Sequence, residues 1–150
     1  MARAKKRRVA RAKELGLEYR TYASVRAASG HDVVAFLFFS NALRVTPLRP
    51  VMPNDRAARL SVLQDVARAG LVSGHLHPSA LMAGNAGLLD RAEAAPAHLA
   101  SWGRARADLR EVLGKVPSGQ VILVGDMALE RDWAMAARLA FYLPAERYFG

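Results

Sequence analysis

Two apolar segments of the chain predict strands of a sheet, and the first of them predicts a central strand. Residues 31–39 end in the unbroken apolar run Val33–Phe39, which is rich in β-branched and aromatic residues. Because this run does not alternate apolar with polar positions, it indicates a strand covered on both faces. The second segment, Gly119–Gly125, is an apolar run with turn residues at both ends, as is typical of a strand. A shorter strand is predicted over Leu71–Leu76.

Apolar residues at helical spacing predict helices between and around these strands. Capping residues, prolines and glycines mark where these helices begin and end. The predicted helices cover residues 3–15, 54–70, 78–89, 98–113 and 126–143. Asn54 or Asp55 is the N-cap of the second helix, and Asp126 is the N-cap of the last. The proline-containing segment Asn41–Asn54 is predicted to be a loop. This order predicts the α/β class, with a small mixed sheet covered by helices and a basic N-terminal arm. Residues 1–20 form the arm and residues 21–150 form a single domain.

The composition narrows the classes of protein to which the chain belongs. At 150 residues, of which 52% are hydrophobic, the chain is long enough to bury one core without disulfides. No apolar run approaches the roughly 20 residues that span a bilayer, so we expect no membrane partner. The chain has no cysteine, which excludes disulfides, thiol nucleophiles, iron–sulfur clusters and cysteine-bound zinc.

Positive charge is concentrated near the N-terminus. Residues 1–20 hold eight of the 22 Lys and Arg residues beside Glu14 and Glu18, so this segment carries +6 of the formal charge of +9. Clustered cations are typical of a segment that binds a polyanion, because each neutralised phosphate releases counterions. The same composition suits a solvated tail or an organellar targeting peptide, since Arg20-Thr21-Tyr22-Ala23-Ser24 resembles a mitochondrial cleavage context. We expect the segment to be retained and to bind RNA.

Residues suited to catalysis are few and scattered. His75 and His77 lie at i and i+2, and Asp126 follows an apolar strand, where α/β enzymes often place ligands. Nothing in their spacing fixes a nucleophile or an oriented base, and the two histidines have no third metal ligand close in sequence. We therefore interpret His75 and His77 as structural or surface histidines. We interpret Asp126 as a helix cap that follows the end of a strand. We predict no catalytic site, no cofactor and no metal.

Cations outside the arm have two interpretations. Arg56 and Arg59 are expected off the core face of the predicted helix 54–70, as nucleic-acid contacts or as ordinary surface charge. The segment Trp102–Arg106 joins an aromatic residue to two arginines, and it either stacks on nucleic acid or places Trp102 in the core. The predicted RNA-binding residues are Arg3, Lys5, Lys6, Arg7, Arg8, Arg11, Arg56 and Arg59.

In order and spacing, these segments resemble the stalk-base proteins of the large ribosomal subunit, the family called L-ten, and in particular its divergent mitochondrial members. The resemblance rests on the basic N-terminal segment, the strand Val33–Asn41, the helix Arg56–Gly70, the segment Leu81–Asn85, the strand Gly119–Asp126, the helix Trp133–Leu143 and the closing Tyr148–Gly150, where the family has a short strand. The lysine that usually precedes the position of Asn85 in the family is Gly84 in this chain.

The resemblance implies a non-catalytic protein that binds large-subunit ribosomal RNA at the stalk base. Its implied partners are neighbouring large-subunit ribosomal proteins, with or without the acidic stalk proteins. Its implied location is the ribosome of the mitochondrial matrix, with the cytoplasm as the alternative. Two other functions stay open. One is an accessory subunit of another organellar assembly, such as a respiratory complex, and the other is a small α/β enzyme that uses His75, His77 or Asp126.

Overall fold

The structure is a computed structural model that describes residues 2–150. Its strands are β1 (Ala35–Phe39), β2 (Ala67–Val72), β3 (Arg91–Ala94), β4 (Val121–Gly125) and β5 (Phe141–Pro144). Its α-helices are α1 (Ala2–Glu14), α2 (Tyr19–Ser29), α3 (Ser40–Leu43), α4 (Asn54–Ser61), α5 (Pro78–Gly84), α6 (Trp102–Leu113), α7 (Ala128–Ala136) and α8 (Ala145–Phe149). Within residues 2–150, none of the helices combines the length and the apolar character that crossing a bilayer requires.

All five strands belong to one sheet, in the order β3-β2-β1-β4-β5. The α/β class is therefore confirmed, and β1 is the central strand, as its apolar run predicted, with β2 and β4 on either side of it. Each of the four strand pairs is parallel, so the sheet is parallel throughout rather than mixed. From β1 the chain builds outward on one side through β2 and β3, and then crosses back to add β4 and β5 on the other side. This is a doubly wound sheet whose strand order reverses between β1 and β4.

Helices cover both faces of the sheet, and each face has its own core. Phe36 and Phe38 of β1 join a cluster with residues of α1, α2, α4, α5 and α8. Leu37 and Phe39 point to the opposite face and pack with residues of α6 and α7. Every residue of β1 and of β4 is buried, because a parallel sheet with helices on both faces leaves no solvated side for its central strands.

The predicted helix over residues 54–70 is wrong in its second half. Helix α4 begins at Asn54, after Pro53 as the N-cap, and ends at Ser61. The chain then turns at Asp65, whose φ is +52°, and continues as β2. Gly70 is not a helix stop but the middle of β2, where an added Cβ would lie 2.7 Å from Leu81 Cδ2 of α5. Pairing with β1 and the close approach of α5 override the helical preference of this alanine-rich segment.

The C-terminal segment also differs from the predicted helix over residues 126–143. Helix α7 ends at Ala136 and the chain forms the edge strand β5, and α8 stands where a closing strand was expected. The helix predicted over residues 98–113 begins later, at Trp102, and the short edge strand β3 precedes it. Edge strands need less apolar sequence because they are covered less completely, and three of the four residues of β3 are exposed.

Candidate nucleic-acid interface

Five cations in the N-terminal half of α1 are exposed to solvent. Residues 2–14 are mostly good helix formers, and α1 has no acidic residue in its first turn. Among the described residues, no carboxylate lies at ion-pair distance from any of the five, which are Arg3, Lys5, Lys6, Arg7 and Arg8. Cations in the N-terminal half of a helix face the positive end of its dipole and repel one another. An anion bound along this half would relieve both unfavourable interactions.

The C-terminal half of α1 is attached to the body by apolar packing. Ala12, Leu15 and Leu17 are buried and belong to the same core cluster as Phe36 and Phe38 of β1. The hydroxyl of Tyr148 donates a hydrogen bond of 2.8 Å to the carbonyl oxygen of Leu15. The predicted arm, residues 1–20, thus continues directly into the core, and the packing holds the exposed half of α1 in a fixed direction.

Arg11 is a structural residue of this junction. Its guanidinium bonds to the Oδ2 atom of Asp32 at 3.0 Å and to the Oε2 atom of Glu14 at 2.8 Å. It also donates to three main-chain carbonyl oxygens, those of Val33, Gln64 and Asp65. With its donors used in this way, Arg11 fastens α1 to the segments before β1 and β2, and it presents little charge to a ligand.

Asp32 accepts the contacts that complete the junction. Burial opposes its ionisation, but the hydrogen bond from the Tyr22 hydroxyl at 2.7 Å, the bond from the N–H of Val33 and the charge of Arg11 outweigh burial. The pKa of Asp32 therefore lies below its usual value. Burial and the bond to Asp32 raise the pKa of Tyr22 to about 12.

The Asp32 network makes the stability of the protein depend on pH. Because the pKa of Asp32 is lower in the folded than in the unfolded chain, its stabilisation is complete above the unfolded value of about 4 and disappears as pH falls through the folded value. We expect Asp32→Asn to lower the free energy of unfolding by about 1–2 kcal/mol at pH 7. The lower part of this range applies because the carboxylate is 40% exposed and water screens it. Urea unfolding at pH 7 and pH 3 measures the effect; a variant deficit that is equal at both pH values would contradict this role.

Arg56 is buried, so the prediction that it lies off the core face is wrong. Its side chain is among the buried charged groups, with 6% of the residue exposed. The Nε atom donates to the carbonyl oxygen of Ala42 at 3.1 Å, and the guanidinium lies 4.4 Å from the ring centroid of Phe149. It also pairs with Asp55 at 2.5 Å. These contacts join α4 to α3 and α8 and leave no accessible charge for RNA.

Arg59 also makes contacts within the protein. Its Nη1 atom donates to the carbonyl oxygen of Gly16 at 2.8 Å, and its guanidinium lies 5.2 Å from the ring centroid of Tyr148. The side chain is half-buried rather than fully exposed. The structure therefore places Arg59 on the same helical layer as α1 but beside the C-terminal end of α1, away from the five exposed cations.

A groove beside α1 adds one cation that the sequence did not reveal. It has a volume of about 590 Å³ and runs between α1 and α2, with Arg7, Arg8 and Arg26 among its lining residues. Two carboxylates also line it, those of Glu14 and Asp32, and both pair with Arg11. Arg26 is half-buried, and within residues 2–150 no carboxylate pairs with it. The signal was the spacing of Tyr22 and Val25, which are both buried in α2 and which place Arg26 at the edge of the packed face.

At the point where the strand order reverses, hydrogen bonds connect the segments that follow β1 and β4. The Nδ2 atom of Asn41 donates to the Oε2 atom of Glu130 at 2.8 Å. The other oxygen of Glu130 accepts the N–H groups of Asp126 and Met127. Met127, not Asp126, is the N-cap of α7. Sequence reasoning missed Glu130, a residue that is 2% exposed and whose carboxylate joins the segments that follow β1 and β4.

The residues considered for catalysis do not form a joint site. His75 and His77 follow β2, while Asp126 follows β4, and β1 lies between these strands. His77 accepts the N–H of Ser79 at the start of α5, which is a capping contact. Within residues 2–150 there is no group of three His, Asp or Glu side chains that could hold a metal ion. Trp102 is 55% exposed, so it is not a core residue.

Fold and surface together define a class: a doubly wound, parallel α/β domain with a cationic helix fixed to one face of its sheet. Comparisons with protein-family models, with curated proteins and with solved structures found no match for the chain.

Proposed function

We propose that this protein binds RNA through the exposed half of α1 and the adjoining groove between α1 and α2. The observation that carries the proposal is the set of five exposed cations in the N-terminal half of α1, none of which is paired with a carboxylate of residues 2–150. A polyanion stabilises such a cluster because each phosphate contact releases condensed counterions into the solution.

The shape of this surface fits a structured RNA. The exposed half of α1 spans roughly 10 Å at 1.5 Å per residue, which brings several cations within reach of successive phosphates along one strand. Arg26 extends the charge from α1 to α2 across a groove of about 590 Å³. Such contacts position a protein on folded RNA without reading its sequence, so recognition would come from RNA shape.

The narrower proposal is that the RNA is large-subunit ribosomal RNA, in mitochondria, and that the protein is a ribosomal component rather than an enzyme. Only the resemblance in sequence supports this step. Three segments that carry the resemblance have a different structure from the one expected: residues 62–70 and residues 137–143 are not helical, and Ala145–Phe149 is a helix. The general proposal of RNA binding does not depend on them.

The salt dependence of binding tests the general proposal. With about five phosphate contacts, the affinity of the wild-type protein for a structured RNA should fall roughly 100-fold to 500-fold between 50 and 200 mM monovalent salt. Filter binding or fluorescence anisotropy with a folded RNA hairpin measures this loss. An affinity that changes less than threefold over this range would contradict electrostatic RNA binding.

The same assay separates the narrower proposal from the general one. The stalk-base segment of large-subunit ribosomal RNA and an unrelated folded RNA of equal length and charge are compared at one salt concentration. The ribosomal assignment predicts at least tenfold tighter binding to the ribosomal segment. Equal affinities with the expected salt dependence would refute the ribosomal assignment and leave RNA binding in place.

A further inference from the structure

A second groove lies on the same helical layer, at the other end of α1. Its volume is about 420 Å³, and it opens between the end of α1, the start of α2, α4 and α8. Buried side chains form its floor: Leu17, Thr21 and Leu143 are 8%, 6% and 3% exposed. The floor is therefore mainly apolar, with one hydroxyl group.

Three cations line this groove: Lys13, Arg59 and Arg147. Within residues 2–150, none of them forms an ion pair with a carboxylate. Glu18 and Gly150 also line the groove. Counting side chains only, the lining carries three positive charges and one negative charge at neutral pH. Like charges gathered around a partly apolar floor repel one another unless an anion lies between them.

Protein contacts hold two of the cations in place. Arg59 donates through Nη1 to the carbonyl oxygen of Gly16 at 2.8 Å, and Arg147 donates through Nη2 to the Oγ1 atom of Thr21 at 3.1 Å. Each guanidinium has five N–H donors, so most remain available. The Thr21 hydroxyl accepts from Arg147 and keeps its own hydrogen to donate. Donors fixed in this way lose little freedom when a ligand binds.

From this geometry we propose that the groove binds a small organic phosphate monoester. A phosphate monoester carries between −1.5 and −2 charges near pH 7, opposite in sign to the net charge of the side chains that line the groove. Its oxygens would accept hydrogen bonds from Arg59, Arg147 and Lys13, since arginine pairs readily with phosphate oxygens. The organic part would cover Leu17 and Leu143. This site contains none of the five exposed cations in the N-terminal half of α1, since its one α1 cation, Lys13, lies in the last turn. It does not rest on the proposed RNA binding.

Phenyl phosphate is a direct probe of this groove, with calorimetry and amide NMR shifts as the readouts. We expect saturable binding with shifts at Leu17, Thr21 and Arg147, and weaker binding of inorganic phosphate and of benzoate. The double variant Lys13→Gln with Arg147→Gln should weaken phenyl phosphate binding at least tenfold, because it removes two charge-assisted contacts. The charge-matched control, Arg110→Gln with Lys115→Gln, changes two exposed cations and should alter binding less than twofold.

Three outcomes would overturn the proposal. The first is the absence of saturable phenyl phosphate binding, and the second is an equal loss in the groove variant and in its charge-matched control. The third is a response to a 5′-phosphorylated oligonucleotide without any response to phenyl phosphate, which would assign the groove to RNA. None of these results changes the expected salt dependence of the α1 cluster, so the two proposals fail independently.

Discussion

Replacing Lys5, Lys6, Arg7 and Arg8 together with Gln should lower the affinity for structured RNA by about 100-fold to 1,000-fold at 100 mM salt. Each of these side chains is exposed on α1, and each lost phosphate contact forfeits the release of most of one counterion. Anisotropy titration of one RNA hairpin with wild-type and variant protein measures the change. No other substitution considered for this chain should have as large an effect on RNA binding.

The control for this experiment is a second quadruple variant with the same change in charge. Arg106, Arg110, Lys115 and Arg131 are exposed and belong to α6, α7 and the loop that follows α6, on the opposite face of the sheet. Their replacement by Gln should lower the affinity less than tenfold through general charge alone. Circular dichroism should show at least wild-type helicity for the α1 variant, because Gln removes cations from the N-terminal half of a helix. Equal losses in the two variants would refute a localised interface.

Replacing Arg56 with Ala should lower the free energy of unfolding by about 2–4 kcal/mol and leave RNA affinity within twofold of wild type. The change leaves the carbonyl oxygen of Ala42 without its donor, removes the stacking on Phe149 and opens a void at a side chain of 6% exposure. The pair with Asp55 adds little, since that carboxylate is 54% exposed. For a chain of this length the melting temperature should fall by roughly 5–15 °C.

Lys13 offers a useful comparison for Arg56. Lys13→Gln changes an exposed residue and should leave the melting temperature within about 1 °C of wild type. If Arg56→Ala instead leaves stability unchanged and lowers RNA affinity tenfold or more, its assignment as a structural residue is wrong. Thermal unfolding and one RNA titration at fixed salt distinguish the two roles.

The sequence predicted the centre of the fold better than its edges. The runs ending at Phe39 and Val124 have enough β-branched and aromatic residues to indicate buried strands by themselves. By contrast, Ala67-Arg68-Ala69-Gly70 has the composition of a helix, and it becomes β2 because β1 and α5 pack against it. Tertiary contacts of this kind decide the conformation of a short segment, and no local pattern reports them.

In the candidate site, too, some features follow from the local sequence and others depend on tertiary contacts. Helix α1 packs on the body only with its C-terminal end. Its N-terminal half therefore stays in solvent and has no carboxylate neighbours, which leaves four consecutive cations exposed: Lys5, Lys6, Arg7 and Arg8. Arg11 and Arg56 look equally basic in the sequence, but folding brings carbonyl oxygens and aromatic rings to them. Charge density along a sequence predicts where a polyanion is attracted, whereas the availability of each cation depends on contacts between distant segments.

The salt dependence of RNA affinity, measured side by side for the wild-type protein and the Lys5, Lys6, Arg7 and Arg8 to Gln variant, tests the central claim most directly. For the wild type, the logarithm of the association constant should fall with the logarithm of salt concentration with a slope of about −4, from about five contacts. For the variant, the slope should be about −1. Equal slopes for the two proteins would show that the exposed cations of α1 do not contact RNA phosphates.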